Sequence, residues 1–392
     1  MSDVSVMIAG VGMTRHGFFA DKSWRDLVSE AGLAAIADAG IDAASVDGGV
    51  VSVTAPEAFE QQNLGPLVAD ELGLQPGSFS QVVAACAGGT LALQHAANMV
   101  RSGRHQCVLA LGVEKLSDAA SPSDALLSYL DQEFESPAGF DYVDTMALMH
   151  ARYMQKYGAS PEQIASFVVR DRWYASRNPK SPDYRRPETN IDEIFESGWA
   201  SRPIHRAECA RGCDGSSAVV VMRKDRAASA SRAVRLAGIS AAHGANYLGN
   251  KFIPGSDGDI AEAPQTRLAA ERAYAEAGIA AADVDVAQVH DCFSVMGAIH
   301  LEGLGLFAKG RAAGAVAEGA TALDGIVPAN TDGGRIGLGH PTGATGLSII
   351  VETVSQLRGE AGQRQVRDAE VGVAQSMGGN NAISAVAVLR KD

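Results

Sequence analysis

AGLAAIADAGIDAASVDGGVVSV, residues 31–53, and AAERAYAEAGIAAADVDVAQVHD, residues 269–291, are two versions of one pattern. In each, an alanine-rich run with helical spacing stops at a glycine. A short loop then ends near an aspartate, and a β-branched run follows. Ala39-Gly40-Ile41 matches Ala277-Gly278-Ile279, and Val46-Asp47 matches Val284-Asp285, all at an offset of 238 residues. A strand-like run precedes each helix, Ser5–Ala9 in the first case and Val234–Ile239 in the second. One α/β unit occurring twice predicts two similar halves, 1–230 and 231–392, packed about a pseudo-twofold axis. Sites in such folds lie at the carboxyl ends of strands and between domains.

The first half is longer, and the excess, 117–205, reads as an insertion richer in charge, proline and aromatic residues. Its stretch RDRWYASRNPKSPDYRRPE (170–188) gathers Arg170, Arg172, Arg177, Lys180, Arg185 and Arg186. In an acidic chain this basic island reads either as a lid for a bulky anionic ligand or as a solvated loop face.

The chain has 392 residues, 46% apolar and 20% charged, which is the composition of a large folded protein. A net charge of −13 argues against nucleic-acid binding and against docking on an anionic membrane. No apolar run reaches the ~18 residues of a membrane span. The N-terminus lacks the features of a signal peptide, and the C-terminal VLRKD carries no peroxisomal or retention address. A cytoplasmic location is therefore expected. Five cysteines without an export signal predict free thiols. Cys209 and Cys213 lie four apart, but no further Cys/His pair follows at ligand spacing, so no metal is expected.

Three motifs carry candidate chemistry. Cys86, in QVVAACAGGT (81–90), ends a short strand at the start of a predicted helix. Such a terminus depresses a thiol pKa and offers N–H groups to an oxyanion, although a buried structural cysteine fits the same position. His290, Asp291, Cys292 and Ser294 cluster at the end of the repeated strand in the second half. They read as a reactive group or as a satisfied core histidine beside an ordinary turn. NTDGGRIGLGHPTGATG (330–346) is glycine-rich and leads into a predicted helix over 347–357, but it lacks the P-loop arrangement. His340, just before Pro341, fits a base facing a cysteine. Near the C-terminus, Gly378 and Gly379 end a strand and offer unobstructed backbone N–H groups.

Cys86 in its CAGG turn, HDCFS (290–294) and GHPTGATG (339–346), in that order across nearly the whole chain, resemble the thiolases, above all the sterol-carrier-protein type. ALGVEKL (110–116), CDGSSAVVV (213–221), NTDGG (330–334) and LRGEAGQRQV (357–366) extend the resemblance. It implies an α/β fold in which two duplicated halves form a five-layered α-β-α-β-α sandwich with an inserted loop domain. It implies reversible Claisen exchange between 3-ketoacyl-CoA and CoA, with coenzyme A thioester as substrate and no resident cofactor. Cys86 would carry the acyl group, His340 would activate it, Cys292 would handle the α-carbon proton, and His290 would position a donor. The N–H groups of Cys86 and Gly378, with His340, would hold oxyanions. Where most thiolases have a second catalytic cysteine, this chain has Ser376, and the Cys292 position takes its place. Relatives of this kind also include acyltransferases with small aromatic or polyketide acceptors and retro-aldolases acting on steroid-like side chains. The resemblance further implies a homodimer or homotetramer, and in some relatives a small OB-fold/zinc-ribbon partner.

Overall fold

The computed structural model describes residues 5–74, 77–119, 121, 127–227, 232–252 and 259–391. The terminal residues read above for export and retention signals lie partly outside this set (1–4 and 392), as do 120 and 122–126 of the insertion.

In the first half, β1 (Val6–Met13), α1 (Trp24–Asp38) and β2 (Gly48–Ser52) form the first copy of the repeat. The chain continues through α2 (Leu64–Leu72), β3 (Ser78–Val82), α3 (Gly88–Arg101) and β4 (Cys107–Glu114). The insertion adds α4 (Tyr142–Tyr157), α5 (Pro161–Ala175) and the short ribbon β5 (Trp199–Ser201) with β6 (Ile204–His205). The chain then returns to the sheet as β7 (Gly215–Arg223). The second half comprises β8 (Val234–His243), α6 (Pro264–Ala277), β9 (Val286–Gln288), α7 (Ser294–Gly303), α8 (Thr342–Arg358), β10 (Val371–Gly378) and β11 (Ile383–Lys391). The helix expected over 347–357 starts five residues earlier, because Pro341 supplies a fixed φ at its N-cap.

The strands are ordered β3-β2-β4-β7-β1-β8-β11-β10-β9, and the halves join where β1 pairs antiparallel with β8. Strand alternation sorts the core into three apolar clusters. Val51, Leu109 and Val220 face α1. Val50, Val108, Val219, Ala374, Ala387 and Leu389, from both halves, face α3 and α8. Val373, Val386 and Val388 face α6 and α7. Helices therefore cover both outer faces and fill the space between the halves, which is the five-layered α-β-α-β-α arrangement.

The duplication extends to single contacts. A Cβ on Gly10 of β1 would sit 2.1 Å from Ala35 O, and one on Gly238 of β8 would sit 2.2 Å from Ala273 O. Both glycines thus let a helix lie directly on the strand, and the two alanines stand 238 residues apart. Asp38 accepts a hydrogen bond from Val11 N–H (2.9 Å), and Glu276, also 238 residues on, accepts from Ile239 N–H (2.9 Å). Asp47 accepts from Gln106 and Cys107 N–H at the start of β4, while Asp285 accepts from Glu370 and Val371 N–H at the start of β10.

Candidate active site

The helices of the central layer, α3 and α8, meet at their N-termini. A Cβ on Gly89 would lie 2.7 Å from Leu347 N, and one on Gly346 would lie 2.4 Å from Thr90 N. Only hydrogen at both positions allows this approach. Cys86 immediately precedes one of these termini and His340 the other, so a residue from each half reaches one point with the positive ends of two helix dipoles behind it.

Ala85 takes a left-handed φ of 47°, which turns the chain sharply between β3 and α3 ahead of Cys86. His340 follows Gly339, whose φ is 96°, and its N–H donates to Arg211 O (2.9 Å). Its Nδ1 lies 2.7 Å from Thr345 Oγ1, and that hydroxyl donates its proton to Pro341 O (3.0 Å). Thr345 must then accept from Nδ1–H, leaving the Nε2 lone pair free. Cys86 Sγ and one ring nitrogen each of His290 and His340 all lie within 4.8 Å of one another. The two imidazoles stand nearly perpendicular, 5.0 Å between centroids.

The loop carrying His290 to Cys292 is braced by the 330–335 turn. Val289 N–H donates to Asn330 Oδ1 (2.8 Å), and Arg335 N–H donates to Asp291 Oδ1 (2.7 Å). Arg335 is itself fully buried, bonded to Ser348 Oγ and paired with Asp332. The glycine-rich NTDGG segment thus acts as a scaffold here. His290 N–H donates to Gln375 Oε1 (2.9 Å), while both of its ring nitrogens are buried without a protein partner.

Cys86, Cys292 and His340 line one cleft of about 500 Å³, counting its solvent-open part, together with Tyr129, Tyr142, Phe293, Thr342 and Gly379. Its wall is mostly apolar. The Tyr142 hydroxyl donates to Gly379 O (2.5 Å) on the cleft wall that also carries Cys292. Tyr129 Oη donates to Thr54 O. The insertion therefore reaches the cleft through two tyrosines. The basic island is largely engaged elsewhere. Arg170 pairs with Asp171 (2.7 Å), Arg177 stacks on Trp173, Lys180 donates to Met13 O (2.6 Å), and Arg186 pairs with Asp183 (3.2 Å).

Gly378 packs against the Cys86 turn: a Cβ there would lie 2.6 Å from Ala84 O and 3.1 Å from Ala87 Cβ. Ser376 Oγ donates to Thr90 Oγ1 (2.8 Å) and so belongs to the helix crossing. Among the described residues Cys209 and Cys213 join no cluster of ligand atoms, and the group that converges is Cys86, His290 and His340.

One residue given no role from sequence is Glu114, at the end of β4. Its buried carboxylate accepts from Thr54 N–H (3.0 Å), Ala55 N–H (3.2 Å), Thr342 Oγ1 (2.6 Å) and Gly343 N–H (2.8 Å). It ties the floor of the cleft to the start of α8 across the two halves. A lone acid closing an apolar strand was the available signal.

The electrostatics correct one expectation. Burial, with the Glu114 carboxylate nearby, pushes the Cys86 thiol up to about 12, against the depression anticipated from its helix terminus. Burial, aided by Arg335, pulls His340 down to about 3. Burial also holds His290 well below the ordinary histidine range and Cys292 well above the ordinary thiol range. At neutral pH the site is an uncharged thiol–imidazole pair, because desolvation outweighs the dipoles.

The family model "Thiolase, N-terminal domain" matches residues 6–188, and "Thiolase C-terminal domain-like" matches residues 255–391. The chain is 36% identical over 393 residues to an acetyl-CoA acetyltransferase of Methanothermobacter thermautotrophicus, covering 100% of both. It is 30% identical to sterol carrier protein 2 of Gallus gallus, over 96% of this chain and 70% of that protein. It is 31% identical to a steroid side-chain-cleaving aldolase of Thermomonospora curvata, over 88% of this chain and 89% of that one. Among solved structures, the Ltp2-ChsH2(DUF35) aldolase superposes with a TM-score of 0.86 at 27% identity, covering 99% of this chain and 98% of that chain.

Proposed function

The chain belongs to the thiolase family, and from that premise we propose that it is an acyltransferase exchanging 3-ketoacyl-CoA plus CoA with acyl-CoA plus acetyl-CoA through a Cys86 thioester. The observation carrying this reading is the convergence of Cys86 Sγ with the His340 and His290 nitrogens within 4.8 Å at the crossing of two helix N-termini. The acetyl-CoA acetyltransferase relative, which aligns end to end, supports the same chemistry.

In this reading His340 Nε2 takes the Cys86 proton as sulfur attacks the thioester carbonyl. A preformed ion pair is disfavoured by burial, so charge appears only as the oxyanion forms beside the new imidazolium. The backbone N–H groups of Cys86 and Gly378 receive that oxyanion. Collapse expels the CoA thiolate, which regains its proton from His340. In the second half-reaction Cys292, which lines the cleft beside Tyr142, handles the α-carbon proton of the incoming thioester, with the His290 and His340 imidazoles at the enolate oxygen. The carbanion attacks the Cys86 acyl carbon and releases the thiol.

A second reading, retro-aldol cleavage of a CoA thioester, is favoured by the aldolase similarities. It needs the Cys292–Tyr142–His290 side of the cleft and does without Cys86. Intact-mass measurement after exposure to acetyl-, octanoyl- and acetoacetyl-CoA separates the two. The first reading expects an acyl adduct that Cys86→Ala abolishes; absence of an adduct with every thioester refutes it. The proposal includes a self-associating chain: β3 is a sheet edge with an unpaired ladder, and Val83 beside it is 56% exposed. It also includes a partner of the small OB-fold/zinc-ribbon kind, since the similar aldolase, Ltp2-ChsH2(DUF35), carries a DUF35 component in its name. No described helix is long and apolar enough to cross a membrane, and a cytoplasmic location is part of the proposal.

A further inference from the structure

We propose that Cys86, His340 and His290 together form a binding site for a thiophilic divalent ion, Zn²⁺, whose occupancy excludes acylation of Cys86. The donor set of one thiol and two imidazoles is a zinc set. The three ligands come from separate elements that are braced independently: the turn before α3, the turn before α8, and the loop after β9.

Three features of the geometry favour a metal over an accidental cluster. The ligand atoms already lie within 4.8 Å of one another. A tetrahedral zinc holds sulfur and nitrogen ligands roughly 3.4–3.6 Å apart, so modest side-chain rotation closes the site. Thr345 holds His340 Nδ1 and leaves Nε2 as the ligand atom, the outer-sphere arrangement usual for metal-binding histidines. His290 is fully buried, and neither ring nitrogen has a protein partner, so a ligand supplies what the protein does not. The fourth position opens on the cleft beside Cys292, where a water or an incoming thiol completes the shell.

Binding replaces the Cys86 S–H proton, released to solvent, with an S–Zn bond. No electron is transferred. Cys86 Sγ and His340 Nε2 are then both held by the metal, so neither the mobile sulfur nor the free base that attack on a thioester requires is present. Free zinc thereby becomes a reversible off-switch, and a thiol ligand at the fourth position would strengthen it.

Zinc binding rests on ligand geometry and stands or falls by itself, while its action as an off-switch rests on the acyltransferase reading. The test is titration of the metal-free full chain with Zn²⁺, read by competition with a chromophoric chelator. Co²⁺ serves as a second probe for a thiolate-to-metal charge-transfer band. We expect one equivalent bound, weakened at least 100-fold by Cys86→Ser and at least 10-fold by His340→Asn, but unchanged by Cys209→Ser with Cys213→Ser. Binding that survives Cys86→Ser, or no equivalent on the wild type, overturns the proposal. A measurement needing no variant is the alkylation rate of Cys86 by iodoacetamide, followed by peptide mass. Saturating Zn²⁺ should slow it at least 10-fold, and an unchanged rate overturns the site. Acylation of the metal-free protein is scored in parallel. An acyl adduct without zinc binding sinks only the metal site; zinc binding without an adduct sinks only the acyltransferase reading.

Discussion

Replacing Thr345 with valine removes the one contact that fixes the His340 tautomer while keeping the side chain's shape. In the structure Thr345 Oγ1 accepts from His340 Nδ1 at 2.7 Å and donates to Pro341 O at 3.0 Å, in a fully buried setting. Two losses follow. The buried Nδ1–H loses its partner, which costs about 1–3 kcal/mol of stability, while Pro341 O keeps the N–H groups of Ala344 and Thr345. More tellingly, the contact strengthens when His340 becomes an imidazolium in the transition state. Hydrogen bonds to charged groups contribute about 1.5–3 kcal/mol against about 1 for neutral ones, and the freed ring also populates the wrong tautomer. The acylation rate should therefore fall roughly 10- to 100-fold, each tenfold step being about 1.4 kcal/mol. The assay is single-turnover acylation by acetoacetyl-CoA, quenched at intervals and read by intact mass. Thr345→Ser keeps the hydroxyl and should stay within a few-fold of wild type. If Thr345→Val acylates at the wild-type rate, or Thr345→Ser falls as far as Thr345→Val, the tautomer argument is wrong.

Acid should unfold this protein early. Burial pulls His16, His300 and His340 down to about 3 and His150 to about 4, with His290 well below the ordinary range. A depressed folded pKa gives stability that is present above 6.5 and lost as pH falls toward the folded value. One pH unit below 6.5, the five groups together withdraw about 7 kcal/mol, comparable with a typical net stability. Circular dichroism should show the transition between pH 6.5 and 4; a native signal persisting below pH 4 contradicts it. Gly346→Ala places a Cβ 2.4 Å from Thr90 N at the helix crossing. Although alanine favours helix by about 1 kcal/mol over glycine, overpacking should destabilise by about 1–3 kcal/mol, and an unchanged or raised melting temperature would show that the helices part freely. Tyr142→Phe should leave Cys86 acylation within a few-fold but slow complete turnover about tenfold, because the hydroxyl bond to Gly379 O that fixes the cleft wall beside Cys292 is lost, an effect of about 1.4 kcal/mol; equal effects on both steps would remove Tyr142 from that role.

Much of the fold was legible because duplication leaves a periodic record. The AGI and VD matches at offset 238 persist because each marks a physical requirement: a left-handed turn at Gly40 and Gly278, and a carboxylate at Asp47 and Asp285 that accepts the first N–H groups of a neighbouring strand. The placing of Cys86, His290, Cys292 and His340 was legible for a related reason, since each is a thiol or imidazole that a strand or glycine turn delivers to an end of the sheet. Other parts of the site left no local mark. Glu114 binds four donors from two distant segments, and nothing around residue 114 indicates that Thr342 folds onto it. Tyr142 looks like any helix-opening aromatic until its partner Gly379, 237 residues away, is placed beside it. The expected low pKa of Cys86 failed because a helix dipole is a local feature, whereas desolvation depends on everything packed around the turn.

The pairing of halves explains why the chemistry stands at this particular point. Each half carries one helix of the central layer, α3 or α8, and each helix brings a residue just ahead of its N-terminus. Because Gly89 and Gly346 allow those termini to touch, the residues ahead of them, Cys86 and His340, are brought within reach without any long side chain having to be held in place. Identical residues at both positions would give two thiols or two imidazoles and no proton transfer. The halves have instead diverged where they meet, to a thiol on one side and a base on the other, while their structural aspartates and strand glycines stayed equivalent. The asymmetric elements, the insertion with Tyr142 and the loop with His290 and Cys292, then approach from outside the symmetric pair. In the proposed mechanism they supply what a twofold arrangement lacks, a second acid/base group and a wall for the acyl chain. A symmetric crossing thus fixes the thiol and the imidazole that the proposed mechanism uses as nucleophile and base, and in that mechanism the elements around it set which carbon acid or acceptor meets them.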